Sequence, residues 1–187
     1  YNIKKSLCCF IYITYMSKKI IITGKRNIDS FTNKKDKKRA DSNKWNKLET
    51  FKDMDMKKQI ELLNMLYLDE EYEGKEFVKK EVERKLSGYK NQDTKKKCYD
   101  KNYFISYENT LEKLVVSKLK CYYCNSRLFL LYKKRGEPMQ WSLERFDNNL
   151  GHYDSNTCIS CLKCNLQRRT SNHEYFKYSK NLSIKKI

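Results

Sequence analysis

Residues 121–164 read CYYCNSRLFLLYKKRGEPMQWSLERFDNNLGHYDSNTCISCLKC, and the C-x-x-C pair at each end decides the fold. A gap of two residues lets both thiolates of a knuckle turn toward one ion. Two such knuckles, Cys121/Cys124 and Cys161/Cys164, supply four soft ligands, each at ~2.3 Å from a tetrahedral zinc. Buried free thiols, a disulfide framework or a thioredoxin-like redox pair are the alternatives, and the paired spacing favours zinc. Four thiolates close the coordination shell and leave no position for substrate, so the expected role of the Zn2+ is structural.

Between the knuckles the pattern alternates strand and turn signals. RLFLLYKK (127–134) reads as a strand, RGEP (135–138) as a turn and MQWSLERFD (139–147) as a second strand. NNLGHYDSN (148–156) has loop composition, TCIS (157–160) reads as a short strand, and a helix opens at the second knuckle. Knuckle, hairpin and cysteine-bearing helix are the parts of a treble-clef zinc module. The fold class expected is α+β, with N-terminal helices followed by this module.

Working outward, the helical signals lie upstream. Trp45, Leu48 and Phe51, then Ile60, Leu63, Leu66 and Tyr67, recur at helical spacing. Phe77, Val78, Val82 and Leu86 form a second stripe that stops at Gly88, a natural C-terminal cap. Residues 90–101 read as a polar linker. A third helix is expected from Asn109, capped with Glu112 and carrying Leu111, Leu114, Val115 and Leu119. The domain division expected is 1–44 as a basic, disordered arm, 45–102 as helices and linker, and 103–187 as the zinc module. Residues 1–16 begin with Tyr, and their apolar run is too short to span a bilayer; Met16 reads as a possible initiator. No membrane-spanning segment is expected.

The 187 residues carry 41 Lys and Arg against 23 Asp and Glu, a formal net charge of +18. Such a balance favours a polyanionic partner, nucleic acid first and DNA ahead of RNA. Abundant Lys, Asn, Ile and Tyr also fit an AT-rich genome, so charge supports this partner without proving it. Eight cysteines are below disulfide-scaffold density, which points to a reducing, intracellular compartment. Cys8, Cys9, Cys98 and Cys158 receive no role. Oligomeric state is not legible.

WSLERFDNNLGHYDSNTCISCLKCNLQRRT (141–170), preceded by CYYC, resembles the HNH (His-Me finger) endonuclease superfamily. The likeness is to the HNH-like zinc proteins of giant viruses and phages, with their SLDRIDN…GH…N…C-x-x-CN pattern, and covers residues 103–180. It implies a ββα module that hydrolyses nucleic-acid phosphodiesters with Mg2+ or Mn2+ beside a separate structural zinc, in a viral setting. By this resemblance Glu144 falls at the metal-binding carboxylate, with Asp147 a further ligand or simply the cap of the 147–149 turn. Asn156 falls at the asparagine that braces the hairpin. Asn165, Arg168 and Arg169 fall where the last ligand or a phosphate contact is drawn.

One departure stands out. Arg145 occupies the place of the general-base histidine, and a guanidinium cannot take a proton from water, although it can clamp a phosphate. His152 and His173 are the chain's two histidines; each reads as a base or metal ligand, or as an ordinary hydrogen-bonding residue. Three functions therefore remain open: a metal-dependent nuclease, a non-catalytic nucleic-acid-binding zinc module, and a protein-interaction domain.

Overall fold

Two leucine-rich helices and a strand buried on both faces organise the chain. The computed structural model describes residues 55–182. In order these are α1 (Met56–Tyr67), α2 (Lys75–Lys95), α3 (Tyr107–Val116), β1 (Trp141–Arg145), a 3₁₀ turn (Asp154–Asn156), β2 (Thr157–Cys161), α4 (Leu162–Arg168) and α5 (His173–Lys180). The expected basic arm, the apolar positions Trp45, Leu48 and Phe51, and Met16 lie outside the described residues. Among the described residues no helix is long and apolar enough to cross a membrane.

Asp55 caps α1 by accepting the Lys58 amide at 2.8 Å. The helix buries Gln59, Leu62, Leu63 and Leu66, one face at helical spacing. Helix α2 starts after Gly74, whose φ of 87° is open to glycine at little cost. It buries Val78, Val82 and Leu86 and then continues through Gly88 to Lys95. Gly88 therefore caps nothing, and residues 90–95 are helix instead of linker. A mid-helix glycine costs ~1 kcal/mol, and packing against β1 offsets it. Tyr89 Oη accepts the Leu143 amide at 3.0 Å, and Asp93 is wholly buried. These contacts cross the division expected near Tyr103.

Helix α3 begins earlier than its sequence suggested. Ser106 is the cap, accepting the Asn109 amide at 3.0 Å, so Asn109 stands inside the first turn. Beyond α3, Lys118 and Leu119 take positive φ values of 51° and 50°, turning the chain into the first knuckle.

The sheet also differs from expectation. Segment 127–134 is not a strand; its bridges are isolated, among them Lys120 with Arg127 and Phe129 with Gln140. Its Leu128, Leu130 and Leu131 are buried as packing residues, and Gln59 Oε1 on α1 accepts the Leu131 amide at 3.1 Å. The partner of β1 is β2, antiparallel, with Trp141 opposite Cys161, Leu143 opposite Ile159 and Arg145 opposite Thr157. Both strands are buried along their whole length. Helix α4 follows β2 without a loop and packs on both strands, while α3 packs on β2. The architecture is thus α+β with one small two-stranded antiparallel sheet.

The α1–α3 seam should carry much of the stability. Leu114→Ala, at a wholly buried site, is expected to cost about 2–5 kcal/mol in urea unfolding at fixed zinc. Val116→Ala on the same helix, at a site 74% exposed, should stay within about 0.5 kcal/mol.

Candidate metal centre and the adjoining polar cavity

The knuckle 121–124 and the β2–α4 junction bring four sulfurs together. The ligand atoms of Cys121, Cys124, Cys161 and Cys164 all lie within 4.8 Å of one another, with Cys124 Sγ and Cys161 Sγ 3.9 Å apart. A tetrahedron with 2.3 Å bonds to zinc has edges of about 3.8 Å, so the spread suits one ion such as zinc. Backbone amides support the sulfurs: the Cys161 amide donates to Cys121 Sγ and the Cys164 amide to Cys161 Sγ, each at 3.2 Å. Hydrogen bonds from Cys161 and Cys164 hold the Cys121 thiol well below its ordinary value. The same contact with Cys121 pushes the Cys161 and Cys164 thiols up. Sulfurs this close repel one another once ionised, and a dication among them would offset that repulsion. Cys158 lies outside the quartet, buried on β2 with its thiol pushed up to about 12 by burial.

On one face of β1 sits Glu144. Arg168 of α4, 1% exposed, donates its Nε to Glu144 Oε1. Its Nη1 donates to Ser171 O at 2.7 Å, and its Nη2 to Arg145 O at 2.6 Å and Asn148 Oδ1 at 3.1 Å. Burial raises the Glu144 carboxyl to about 6, with Arg168 pulling the other way. Arg168 is therefore an internal clamp, and the phosphate contact expected of it is not available. Arg169 is exposed with a positive φ of 54°, and its carbonyl accepts from Asn148 Nδ2 at 2.6 Å.

Arg145 points to the other side of the strand. Its Nη1 donates to Leu150 O at 3.0 Å and pairs with Asp93 Oδ1 at 3.4 Å. The expected phosphate clamp is thus an inward-turned residue, 6% exposed, because alternation along β1 aims it at the end of α2. Asp93 also accepts the His152 amide at 2.6 Å and pairs with His152 Nδ1 at 2.7 Å. With Nδ1–H donating to the carboxylate, the tautomer is fixed and Nε2 is left as an acceptor. Nε2 has no partner among the described residues and is not among the buried unpaired atoms. Burial lowers the His152 pKa to about 4, with Asp93 raising it and Arg145 and Lys96 lowering it, so the ring is neutral at pH 7. Gly151 makes this approach possible. A Cβ there would lie 2.5 Å from Cys98 O and 3.0 Å from Asp93 Oδ2.

His152 lines a cavity of about 380 Å3 between α2, β1 and α4, together with Lys85, Tyr89, Glu144, Arg145 and Asn165. Lys85 Nζ donates to Gln140 Oε1 at 2.9 Å and to Trp141 O, over the Trp141 ring; burial lowers its pKa to about 7. Arg84 stands at the rim, paired with Glu81 at 2.5 Å.

No known family matches the chain, and no curated protein or solved structure is detectably similar to it. The site must be judged on its own geometry.

That geometry brings some expected residues together and separates others. Among the described residues the cysteine quartet is the only group of three or more His, Cys, Asp or Glu close enough to share an ion. Glu144, Asp147, His152 and His173 do not assemble a Mg2+ or Mn2+ site. Asp147 Oδ1 accepts the Asn149 amide at 2.8 Å, the capping role. Asn156 ties the loop down: its Oδ1 accepts the Asp147 amide at 2.9 Å, and its Nδ2 donates to Asp147 O and Gly151 O. Asn165 Nδ2 donates to Ser142 Oγ at 2.7 Å. His173 opens α5, stacked on Phe146 at 4.6 Å with Nδ1 unpartnered, and does not line the cavity. Sequence reasoning missed Asp93, Tyr89 and Lys85. The continuing stripe Val82, Leu86, Tyr89, Asp93 at spacings of three and four was the available signal.

Cobalt or zinc titration tests the centre. Cys164→Ser should lose the thiolate-to-cobalt absorption and stoichiometric metal, whereas Cys158→Ser should keep both. A pH prediction follows from His152, whose folded value of about 4 lies below its ordinary 6.5. Its contribution is complete above pH 6.5 and is lost as pH falls through 4. Glu144, raised from 4.5 to about 6, has the opposite sign, its contribution being lost as pH rises through 6. The stability gap between wild type and His152→Gln should therefore shrink on acidification from neutrality by on the order of 2 kcal/mol, read from urea midpoints. The cysteine quartet is common to both proteins, so acid release of any metal it holds cancels from the difference.

Proposed function

We propose that this chain is an HNH-like hydrolase of nucleic-acid phosphodiesters, built on a treble-clef ββα module that a zinc ion at the four cysteines holds together. The observation that carries the reading is His152, fixed by Asp93 and presenting a neutral, unpartnered Nε2 on a cavity that Arg84, Lys85 and Arg145 also line. The order strand, strand, cysteine-capped helix and the sequence pattern at 141–170 support the module. The net charge of +18 supports a polyanionic substrate.

In this mechanism His152 Nε2 takes a proton from the attacking water, Asp93 stabilises the imidazolium that forms, and as the P–O bond to the leaving sugar oxygen breaks the imidazolium returns the proton to that oxygen. Arg84, released from Glu81, and Lys85 in its protonated form would face the phosphate charge. Arg145 has moved from the expected phosphate clamp to a partner of Asp93. The residues expected to hold Mg2+ or Mn2+ do not fit such a site, because Arg168 occupies Glu144 and Asp147 caps its own turn. No step is routed through a second metal.

A second reading is favoured by the Glu144–Arg168 pair. A guanidinium set on the carboxylate that the resembled family uses for its ion leaves a zinc module that binds nucleic acid without cutting it.

Plasmid nicking with and without Mg2+ or Mn2+ separates the two. The hydrolase reading predicts nicking that His152→Ala abolishes, and that Asp93→Asn lowers by about 100-fold or more, with zinc content preserved in both. Activity should decline as pH falls toward the His152 value of about 4. Nicking that survives His152→Ala ends the hydrolase reading. Absent nicking with salt-sensitive DNA binding establishes the second.

A further inference from the structure

Helix α2 grips His152 from two directions, one helical turn apart. Asp93 holds the imidazole at its edge, through Nδ1 at 2.7 Å. Tyr89, at i and i+4 with Asp93 and so on the same helix face, lies against the imidazole itself. The two ring centroids are 4.7 Å apart and the planes are 35° from parallel. The far end of Tyr89 is tied to β1. Its Oη accepts the Leu143 amide at 3.0 Å and donates to Ser142 Oγ at 3.4 Å. Asn165 of α4 donates to that same serine oxygen at 2.7 Å. With its proton turned to Ser142 and an amide on its oxygen, the hydroxyl is committed to the strand, and burial raises the phenol above its ordinary value. What Tyr89 presents to His152 is therefore its ring.

We propose that Tyr89 is the positioning residue for His152: its ring stops the imidazole from swinging about the Asp93 hydrogen bond and keeps Nε2 aimed into the recess. One hydrogen bond fixes a point on an imidazole and leaves the plane able to turn about that bond. A flat neighbour at stacking distance removes the remaining freedom. Because Oη is anchored on β1, the ring is held by the strand that lines the same recess. Aim matters to a general base, since a misplacement of about 1 Å costs on the order of 100-fold in rate. The consequence for catalysis rests on the hydrolase reading above; the hold on the ring does not.

The test compares the full chain with Tyr89→Phe and Tyr89→Leu by urea midpoints, by proton–nitrogen NMR of the two histidines and by plasmid nicking. Both variants lose the Oη contacts with β1 and should be destabilised, but phenylalanine alone keeps a flat face. Tyr89→Phe should retain the His152 Nδ1–H resonance and a kcat within about threefold of wild type. Tyr89→Leu should lose that resonance and lower kcat by about 10- to 100-fold with KM little changed. His173, outside the recess, serves as the internal reference and should be unaltered in both. Tyr89→Met replaces Tyr89→Leu if the latter does not fold. An unaltered His152 resonance in the folded leucine or methionine variant would overturn the proposal. So would ring signal and kcat as damaged in Tyr89→Phe as in Tyr89→Leu. Absence of nicking in the wild type counts against the hydrolase alone, because the NMR comparison still decides whether Tyr89 sets the ring.

Discussion

Four cysteine sulfurs within 4.8 Å of one another tie the first knuckle to the junction of β2 and α4. Without a cation their mutual repulsion opposes deprotonation, so a dication and the local fold depend on each other. Cys161 concentrates the constraint. It ends β2, pairs across the sheet with Trp141, and caps α4 by accepting the Cys164 amide. A change at that sulfur therefore reaches sheet, helix and metal centre together. Cys121, 40 residues earlier, accepts the Cys161 amide and so fixes where the first knuckle meets the strand.

Strand β1 then separates two buried ionic networks. Glu144 faces Arg168 on one side, and Arg145 faces Asp93 and His152 on the other. Buried ion pairs add little net stability because desolvation offsets attraction, but removing one partner strands a charge. Their contribution here is geometric. Arg168 donates to a carbonyl on β1, to the side-chain oxygen of Asn148 in the loop and to the Ser171 carbonyl while holding Glu144, which locks α4 against the hairpin. Asp93 does the same for α2 and the loop at His152, aided by the glycine that lets the two backbones touch.

This arrangement places a neutral histidine in a recess that Lys85, Arg84 and Arg145 also line. The guanidinium at 145 has a structural place in it. Beside Asp93 it helps to keep the imidazole of His152 neutral.

The sequence by itself determined what depends on short spacing. The C-x-x-C pairs predict the quartet because two residues suffice to turn two sulfurs one way. The loop at 148–156, the strand at 157–160 and the helix at the second knuckle were legible for the same reason, and so was Asp147 as a turn cap. Only the tertiary structure decided which strand pairs with β1, since the apolar run 127–134 satisfies a strand pattern and a packing segment equally well. It alone carried α2 past Gly88, where burial against β1 outweighs a weak local propensity. It alone joined Asp93 to His152, 59 residues apart. A buried carboxylate looks like any polar linker residue until the fold brings its partner, because burial and pairing are properties of neighbours distant in the chain.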